Sequence, residues 1–116
     1  MTNTGKERRK AERKQVLDSF QVFLTFPGKS QRRIVLKDLN ALGFGFLSEG
    51  ADYFEEAEKL DCFFHINPGL KLPLQIQIAH TQDGFTGCEI TEKTNVAYKT
   101  YLKFAALLDD LSAFLD

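Results

Sequence analysis

Apolar and polar positions alternate along much of the first half of the chain, which is typical of strands that bury one face. Four apolar residues lie two positions apart and predict one face of a first strand: Phe20, Val22, Leu24 and Phe26. The Pro-Gly-Lys-Ser stretch over residues 27–30 supplies a tight turn. A second strand through Ile34 and Leu36 follows, so residues 16–39 are predicted to form a hairpin.

Four further strands are predicted downstream, over residues 43–47, 60–66, 72–78 and 85–91. The clearest is the third of these, in which aliphatic residues alternate with Gln75 and Gln77. The acidic stretch between the strands at 43–47 and 60–66 is interpreted mainly as a solvated connection. Six short strands separated by turns are typical of an antiparallel sandwich or barrel.

The end of the chain changes to the three- and four-residue periodicity of a helix, over about residues 94–115, with Thr94 or Asn95 as N-cap. The apolar face of this helix is wider than a single stripe. Two interpretations stay open. One side of the helix covers the core and the rest is scattered apolar surface, or Leu107, Leu111 and Phe114 form a patch for a partner protein or a second copy in a homodimer.

Composition bounds the class of protein. The chain has 116 residues, of which 43% are hydrophobic and 27% charged, which fits one ordinary globular domain. No apolar stretch approaches the ~18–20 residues that a membrane span needs, and the N-terminal residues lack the apolar region of a secretory signal. Two cysteines are too few for a disulfide framework. We therefore expect a cytoplasmic protein.

Charge is unevenly distributed. Residues 1–16 carry six basic and two acidic side chains, a net charge of +4, whereas the remaining residues carry a net charge of −5. We interpret residues 1–15 as a flexible basic arm on a domain that spans residues 16–116. A basic arm on an acidic domain indicates a phosphate-bearing partner, although a solubilising tail has the same composition.

Catalytic and metal-binding patterns are missing from the sequence. His65 and His80 have no second ligand at metal-binding spacing. His80 follows an alternating strand and is interpreted as a histidine of the rim or core, and Cys62 and Cys88 as buried thiols. The protein is therefore predicted to be neither an enzyme nor a binder of metals or cofactors.

Two groups of residues have the chemistry of a ligand site. The first is an R-x-x-x-R arm, Arg9 to Arg13, with Arg8 beside it, because a guanidinium donates two parallel hydrogen bonds to a phosphate and stacks on a base. The second is the Asp-Leu-Asn-Ala-Leu-Gly stretch at the end of the predicted hairpin. Its carboxylate and amide are suited to the edge of a guanine, and its glycine to a turn that a side chain would block.

This arrangement resembles the PilZ domain family, the bacterial receptors for cyclic di-GMP, whose arm R-x-x-x-R is followed by a turn of the pattern Asp/Asn-x-Ser-x-x-Gly. The likeness covers nearly the whole chain, with further similar stretches at residues 43–46, 72–78 and 87–90. It implies a mainly β protein. The expected fold is a six-stranded antiparallel β-barrel with the C-terminal helix against it and the nucleotide at one end of the barrel.

Individual positions of this chain match the residues with which the family contacts its ligand. Arg9 and Arg13 match the arginines that contact phosphates and guanine faces, with Arg8 as an additional arginine. Asp38 matches the residue that contacts a guanine, and Gly43 matches the glycine of the turn. Asn40 departs from the pattern, which has serine there. Asparagine still donates and accepts hydrogen bonds, but it is larger and has no hydroxyl.

The resemblance predicts a non-catalytic receptor that binds cyclic di-GMP and transmits the signal to a downstream partner protein in motility, biofilm or secretion control. The arm would become ordered over the ligand. The alternative is a PilZ-like protein-interaction module with weak or lost nucleotide binding, which Asn40 and the broad apolar helix favour. Nucleic-acid binding is not expected, because no aromatic residue is interleaved with the basic residues before Phe20.

Overall fold

Six strands close into a barrel in the computed structural model, which describes residues 14–48, 53–67 and 69–115. The strands are β1 Phe23–Phe26, β2 Ser30–Leu39, β3 Gly43–Leu47, β4 Lys59–Ile66, β5 Leu70–Gln82 and β6 Phe85–Ile90. Their order around the barrel is β1-β2-β3-β6-β5-β4, every neighbouring pair is antiparallel, and the pairing of β1 with β4 closes the ring. The predicted six-stranded antiparallel β-barrel is confirmed.

The barrel is filled by the inward-facing residues of the alternating strands. Three of its phenylalanines, Phe26, Phe46 and Phe54, form a cluster with ring centroids 5.0–5.2 Å apart. Burying each such side chain stabilises the fold by about 1.5–3 kcal/mol relative to exposure. Cys62 and Cys88 are buried free thiols, and burial raises the pKa of both, that of Cys88 to about 12.

The C-terminal helix spans Val96–Ser112, three residues less at its end than the periodicity predicts. Asn95 is its N-cap, since the Asn95 side chain accepts a hydrogen bond from the Tyr98 backbone N–H at 2.8 Å. Tyr101 and Leu108 are fully buried against the barrel, and the ring of Tyr101 meets that of Phe64 edge-to-face at 5.2 Å. One face of the helix therefore belongs to the core.

The predicted start of the first strand is wrong. Residues 14–19 are helical, and β1 begins only at Phe23. Val16 and Leu17 are buried, and Phe20 packs on Phe104 of the C-terminal helix at 5.7 Å. Gln21 has a positive φ of 50° and separates this helical segment from the strand, so Phe20 does not share a strand face with Val22. Most of the predicted arm, residues 1–13, lies outside the described residues.

The acidic connection is only partly solvated. Phe54 is buried in the aromatic cluster, while its neighbours Tyr53 and Glu55 are exposed. Lys29, in the turn between β1 and β2, forms an ion pair with Glu58 at 2.7 Å. The described part of the connection, residues 53–58, is thereby fixed to the barrel at both of these points.

Candidate ligand-binding groove

One row of paired residues crosses four strands of the barrel. Asp38 of β2 pairs with Gly45 of β3, Gly45 pairs with Gly87 of β6, and Gly87 pairs with His80 of β5. Because neighbouring strands lie about 4.8 Å apart, the row is about 14 Å long measured along the sheet. Its two ends carry polar side chains and its two middle positions are glycines, so the backbone of the row forms a trough, which side chains from neighbouring positions can enter.

Asp38 reaches the outer surface because of an irregularity in β2. Leu36 and Asp38 face consecutive residues of β3, so β2 holds one extra residue, Lys37. Leu36 and Leu39 are buried, whereas Lys37 is exposed and Asp38 half-buried. Strict alternation would have sent Asp38 into the core with Leu36. The β-bulge turns its carboxylate outward instead.

A second bulge does the same for His80. Ile78 and His80 pair with consecutive residues of β6, and Ala79 is the extra residue. Ile78 is buried, whereas Ala79 and His80 are both exposed. His80 is therefore not a residue of the core; its side chain lies on the outer wall of the barrel. Each end of the trough is thus set by its own bulge.

Two aromatic rings lie over the glycines of the trough. A Cβ atom at Gly45 would overlap the tip of the Phe85 ring, and a Cβ atom at Gly87 would overlap the imidazole of His80. The two rings are stacked on each other, with centroids 5.6 Å apart and an interplanar angle of 26°. The glycines therefore make room for an aromatic pair on the outer wall.

Gly43 is a glycine because two strands approach closely. A Cβ atom there would overlap the backbone carbonyl oxygen of Cys88 on β6. The φ of Gly43 is not positive, so a side chain is blocked here by the neighbouring strand and not by the backbone conformation of the turn. The motif glycine is required by the packing of β3 against β6.

Asn40 organises the turn between β2 and β3. Its side-chain oxygen accepts hydrogen bonds from the backbone N–H of Leu42 at 2.8 Å and of Gly43 at 3.3 Å. Its own backbone N–H donates to the carbonyl of Gly43 at 2.9 Å. The side-chain oxygen thus does what a serine hydroxyl does in a turn of this kind, and the departure from the PilZ pattern leaves the turn intact.

Two tyrosines of the C-terminal helix hold the same turn. The hydroxyl oxygen of Tyr101 lies 2.8 Å from the carbonyl oxygens of both Asn40 and Gly43. The hydroxyl of Tyr98 donates to the carbonyl of Ala41 at 3.2 Å. Three carbonyls of the turn therefore have tyrosine hydroxyls of the helix as hydrogen-bond partners, which ties the turn to the helix.

A cavity of about 330 Å³ lies on the outer wall above the three glycines. That volume is at the lower end of the ~300–1,000 Å³ typical of small-molecule sites. Its lining includes Asp38, Asn40, His80, Phe85 and Glu89. None of the described residues that line it is a lysine or an arginine. Asp38 and Glu89 bring carboxylates to the groove, so an anionic group bound there would need cations from another part of the chain.

Three of the six predicted site residues, Asp38, Asn40 and Gly43, line this groove together. The other three, Arg8, Arg9 and Arg13, lie outside the described residues, and their contact with a ligand stays a prediction. Sequence reasoning did not assign His80, Phe85 and Glu89 to the site. No pattern in the sequence marks them, because His80 continues the alternation of β5 and its outward direction depends on the bulge at Ala79.

The described residues hold no group of three or more His, Cys, Asp and Glu side chains suited to a metal ion. His65 lies on β4, outside the groove, where it stacks on Phe23 at 4.4 Å and bonds Thr25 at 2.9 Å. Across the described ranges, no helix has the length and apolarity needed to cross a membrane.

Comparison with known proteins gives a match in structure alone. No protein-family model and no curated protein sequence matches the chain. An uncharacterized Legionella protein superposes with a TM-score of 0.62 at 10% identity, over 78% of this chain and 88% of its own. The PilZ domain of CeSA from a cellulose-synthesizing bacterium superposes with a TM-score of 0.54 at 13% identity, over 76% of this chain and 90% of its own. The protein therefore has a PilZ-like fold, as the resemblance predicted.

Proposed function

We propose that the protein is a non-catalytic receptor for cyclic di-GMP. The observation that carries this proposal is the meeting of Asp38, Asn40 and Gly43 at one groove of a PilZ-like barrel. These are the positions that match the ligand-binding turn of the PilZ family. The carboxylate of Asp38 has the acceptor chemistry that the N–H groups of guanine require.

The point where the arm joins the barrel supports the proposal. Lys14 lines a depression of the surface together with Val35 and Lys37 of β2. Lys37 is the neighbour of Asp38, and Arg13 precedes Lys14 by one peptide unit, about 3.8 Å between Cα atoms. Lys14, the described residue next to Arg13 in the sequence, thus lies beside the strand that carries Asp38. The guanidinium groups of the arm would supply the cations that the groove lacks, with Arg9 and Arg13 on the phosphates.

The signal would pass to a downstream partner protein, in motility, biofilm or secretion control. The hydrogen bonds from Tyr98 and Tyr101 support this step, because they connect the ligand-binding turn to a helix on the surface. A ligand that moves the turn would also move the helix, and a partner bound to the helix would respond to the difference between the two states.

Calorimetric titration of the full chain with cyclic di-GMP tests the proposal, with cyclic di-AMP as the matched control ligand. We expect one binding event with cyclic di-GMP and weaker binding of cyclic di-AMP. No heat with cyclic di-GMP, for a protein that is folded by circular dichroism, would overturn the proposal.

The alternative, a PilZ-like interaction module with weak or lost nucleotide binding, is favoured by the exposed apolar residues of the C-terminal helix. Phe114, just after the helix, is 84% exposed and Leu107 is 42% exposed, while Leu111 between them is half-buried. Sedimentation of the wild type and of the Leu107→Glu, Phe114→Glu double variant tests this surface. Self-association that the double variant abolishes without a change in melting temperature supports it, and a wild type that is monomeric at all concentrations speaks against a homodimer.

A further inference from the structure

The outer side of the C-terminal helix carries apolar residues at both ends and charged residues between them. At 3.6 residues per turn, six exposed residues lie within about a quarter of the circumference of the helix. They are Val96, Lys99, Lys103, Leu107, Asp110 and Phe114, called the helix stripe below. Phe114 follows the last helical residue but continues the turn, since its backbone N–H donates to the Leu111 carbonyl at 3.0 Å.

The charges of the helix stripe do not stabilise their own helix. Lys99 and Lys103 are like charges four residues apart, which repel each other. Asp110 lies in the last turn, where the helix dipole favours a cation, and the helix has no acidic residue in its first turn and no basic residue in its last. Across the described ranges, none of these three side chains has an ion pair or a hydrogen bond. The charge order therefore needs an explanation outside the helix.

The apolar positions of the helix stripe are symmetric about its middle. Val96 and Phe114 each lie nine residues from Ala105, and Lys103 and Leu107 each lie two residues from it. A second, antiparallel helix related by a two-fold axis at the level of Ala105 would bring Val96 of one copy to Phe114 of the other, at both ends of the pair. In the middle, Leu107 would pack on the aliphatic stem of Lys103 of the second copy.

The same reversal brings opposite charges together. Asp110 lies five residues from Ala105 on one side, and Lys99 and Lys103 lie six and two residues from it on the other. The carboxylate of one copy would therefore lie between the two ammonium groups of the other. It would also lie beside the N-terminal half of the second helix, where the helix dipole favours an anion. A parallel pair would instead place each charge beside the same charge of its copy.

We propose that the helix stripe is the interface of a symmetric homodimer, in which the C-terminal helices of two copies of this chain pack antiparallel. The occupant is a second copy because the stripe is complementary to itself in both apolar positions and charge. The inference goes beyond the proposed function and does not rest on it, since the stripe shares no residue with the groove. Helices of 17 residues touch over about 25 Å. Such a small interface gives a weak dimer, with a Kd between ~1 µM and ~1 mM.

Sedimentation of the full chain across this concentration range tests the charge pattern. Lys99→Asp with Lys103→Asp makes the stripe wholly acidic, and Asp110→Lys makes it wholly basic. Each variant alone should self-associate at least about tenfold more weakly than the wild type, because like charges then face each other. An equimolar mixture of the two should form a mixed dimer. Lys59→Asp with Lys71→Asp, exposed positions on the barrel wall, matches the acidic variant in charge and should dimerise like the wild type.

Disulfide cross-linking tests the orientation of the helices. Val96→Cys and Phe114→Cys place one thiol at either end of the stripe, and the native Cys62 and Cys88 are buried. Under mild oxidation, a mixture of the two variants should give a linked dimer. Neither variant alone should do so, because identical ends are far apart in an antiparallel pair.

Three results would overturn the proposal. The first is a wild type that stays monomeric up to the highest concentration, and the second is an acidic variant that dimerises as well as its barrel-wall control. The third is a Val96→Cys chain that cross-links to itself, which indicates a parallel pair. Melting temperatures show that each variant is folded. A failed titration with cyclic di-GMP would overturn the proposed function and leave the dimer standing.

Discussion

Tyr101 and Asn40 are joined by a hydrogen bond of 2.8 Å, from the buried phenolic hydroxyl of the helix to the backbone carbonyl of the turn. The ring of Tyr101 is fully buried and contacts Phe44 and Phe64 inside the barrel. A single side chain thus fixes the position of the helix relative to both the core and the candidate ligand-binding turn.

Tyr101→Phe should destabilise the protein by about 1–3 kcal/mol, because the carbonyl oxygens of Asn40 and Gly43 lose the tyrosine hydroxyl as a donor while the ring still packs. Urea denaturation followed by circular dichroism measures the change. Tyr98→Phe is the matched control and should cost less, since the hydroxyl of Tyr98 donates to the Ala41 carbonyl at an exposed position, at 3.2 Å. Equal losses of unfolding free energy in the two variants would show that the hydrogen bond of Tyr101 stabilises the protein no more than that of Tyr98.

Gly43→Ala should destabilise the fold whether or not a ligand is present. The added methyl group overlaps the carbonyl oxygen of Cys88, and backbone cannot move aside as a side chain can, so a cost of about 1–3 kcal/mol is expected. Gly45→Ala serves as the comparison, because there the obstacle is the end of the Phe85 side chain and not backbone. A Gly43→Ala protein as stable as the wild type would contradict this account of the motif glycine.

Asn40→Ser should preserve the turn, since a hydroxyl also accepts from a backbone N–H. We expect cyclic di-GMP binding to be at least as tight as that of the wild type, with a gain of up to about one hydrogen bond, ~0.5–1.5 kcal/mol. Asn40→Ala removes the acceptor and should be less stable. Weaker binding by Asn40→Ser in calorimetry would mean that the asparagine amide has a ligand contact of its own.

Arg9→Ala and Arg13→Ala should each weaken cyclic di-GMP binding by about 1.5–3 kcal/mol, the value of a hydrogen bond to a charged group. The melting temperature should hardly change. Arg33→Ala is the control for charge, because Arg33 lies over the ring of Phe23 and lines a different depression. If all three variants bind alike, net charge and not the R-x-x-x-R arm governs binding.

His65 should make the stability of the protein depend on pH. Burial lowers the pKa of His65, and the positive charges of Lys71 and Arg33 lower it further. The unfolded chain takes up this proton near pH ~6.5, whereas the folded protein takes it up only at a lower pH. The free energy of unfolding should therefore fall as the pH drops below that value.

Urea denaturation of the wild type and of His65→Phe between pH 5 and pH 8 measures this effect. Phenylalanine keeps the stacking on Phe23 and has no proton to gain. The difference in unfolding free energy between the two proteins should therefore change across the lower half of the range in favour of the variant. If the difference in unfolding free energy stays constant with pH, His65 is not the source of the pH dependence.

Much of the fold follows from local pattern, because each strand that buries one face must alternate. The strand β5 was predicted from its alternation. The N-cap Asn95 was one of the two residues predicted for that position. Val16, Leu17 and Phe20 fit the spacing of a helix as well as the edge of a strand, so their segment could not be assigned until the packing of Phe20 on Phe104 was known.

The site was less accessible to prediction. Asp38, Asn40 and Gly43 were found through the resemblance, but the outward direction of Asp38 depends on a bulge. An extra residue in a strand looks like any other exposed residue, since its effect is on pairing and not on composition. The same holds for Ala79, whose insertion brings His80 to the groove.

The closure of the barrel through β1 and β4 also restricts how another protein recognises this one. A sheet with an open edge accepts a partner's extended segment as an additional strand through main-chain hydrogen bonds, but each of the six strands here already has two neighbours. A partner therefore cannot add a strand to these six strands through main-chain hydrogen bonds. A partner must therefore recognise side chains on the outer wall or on the helix. Single substitutions of those side chains can change which partner binds.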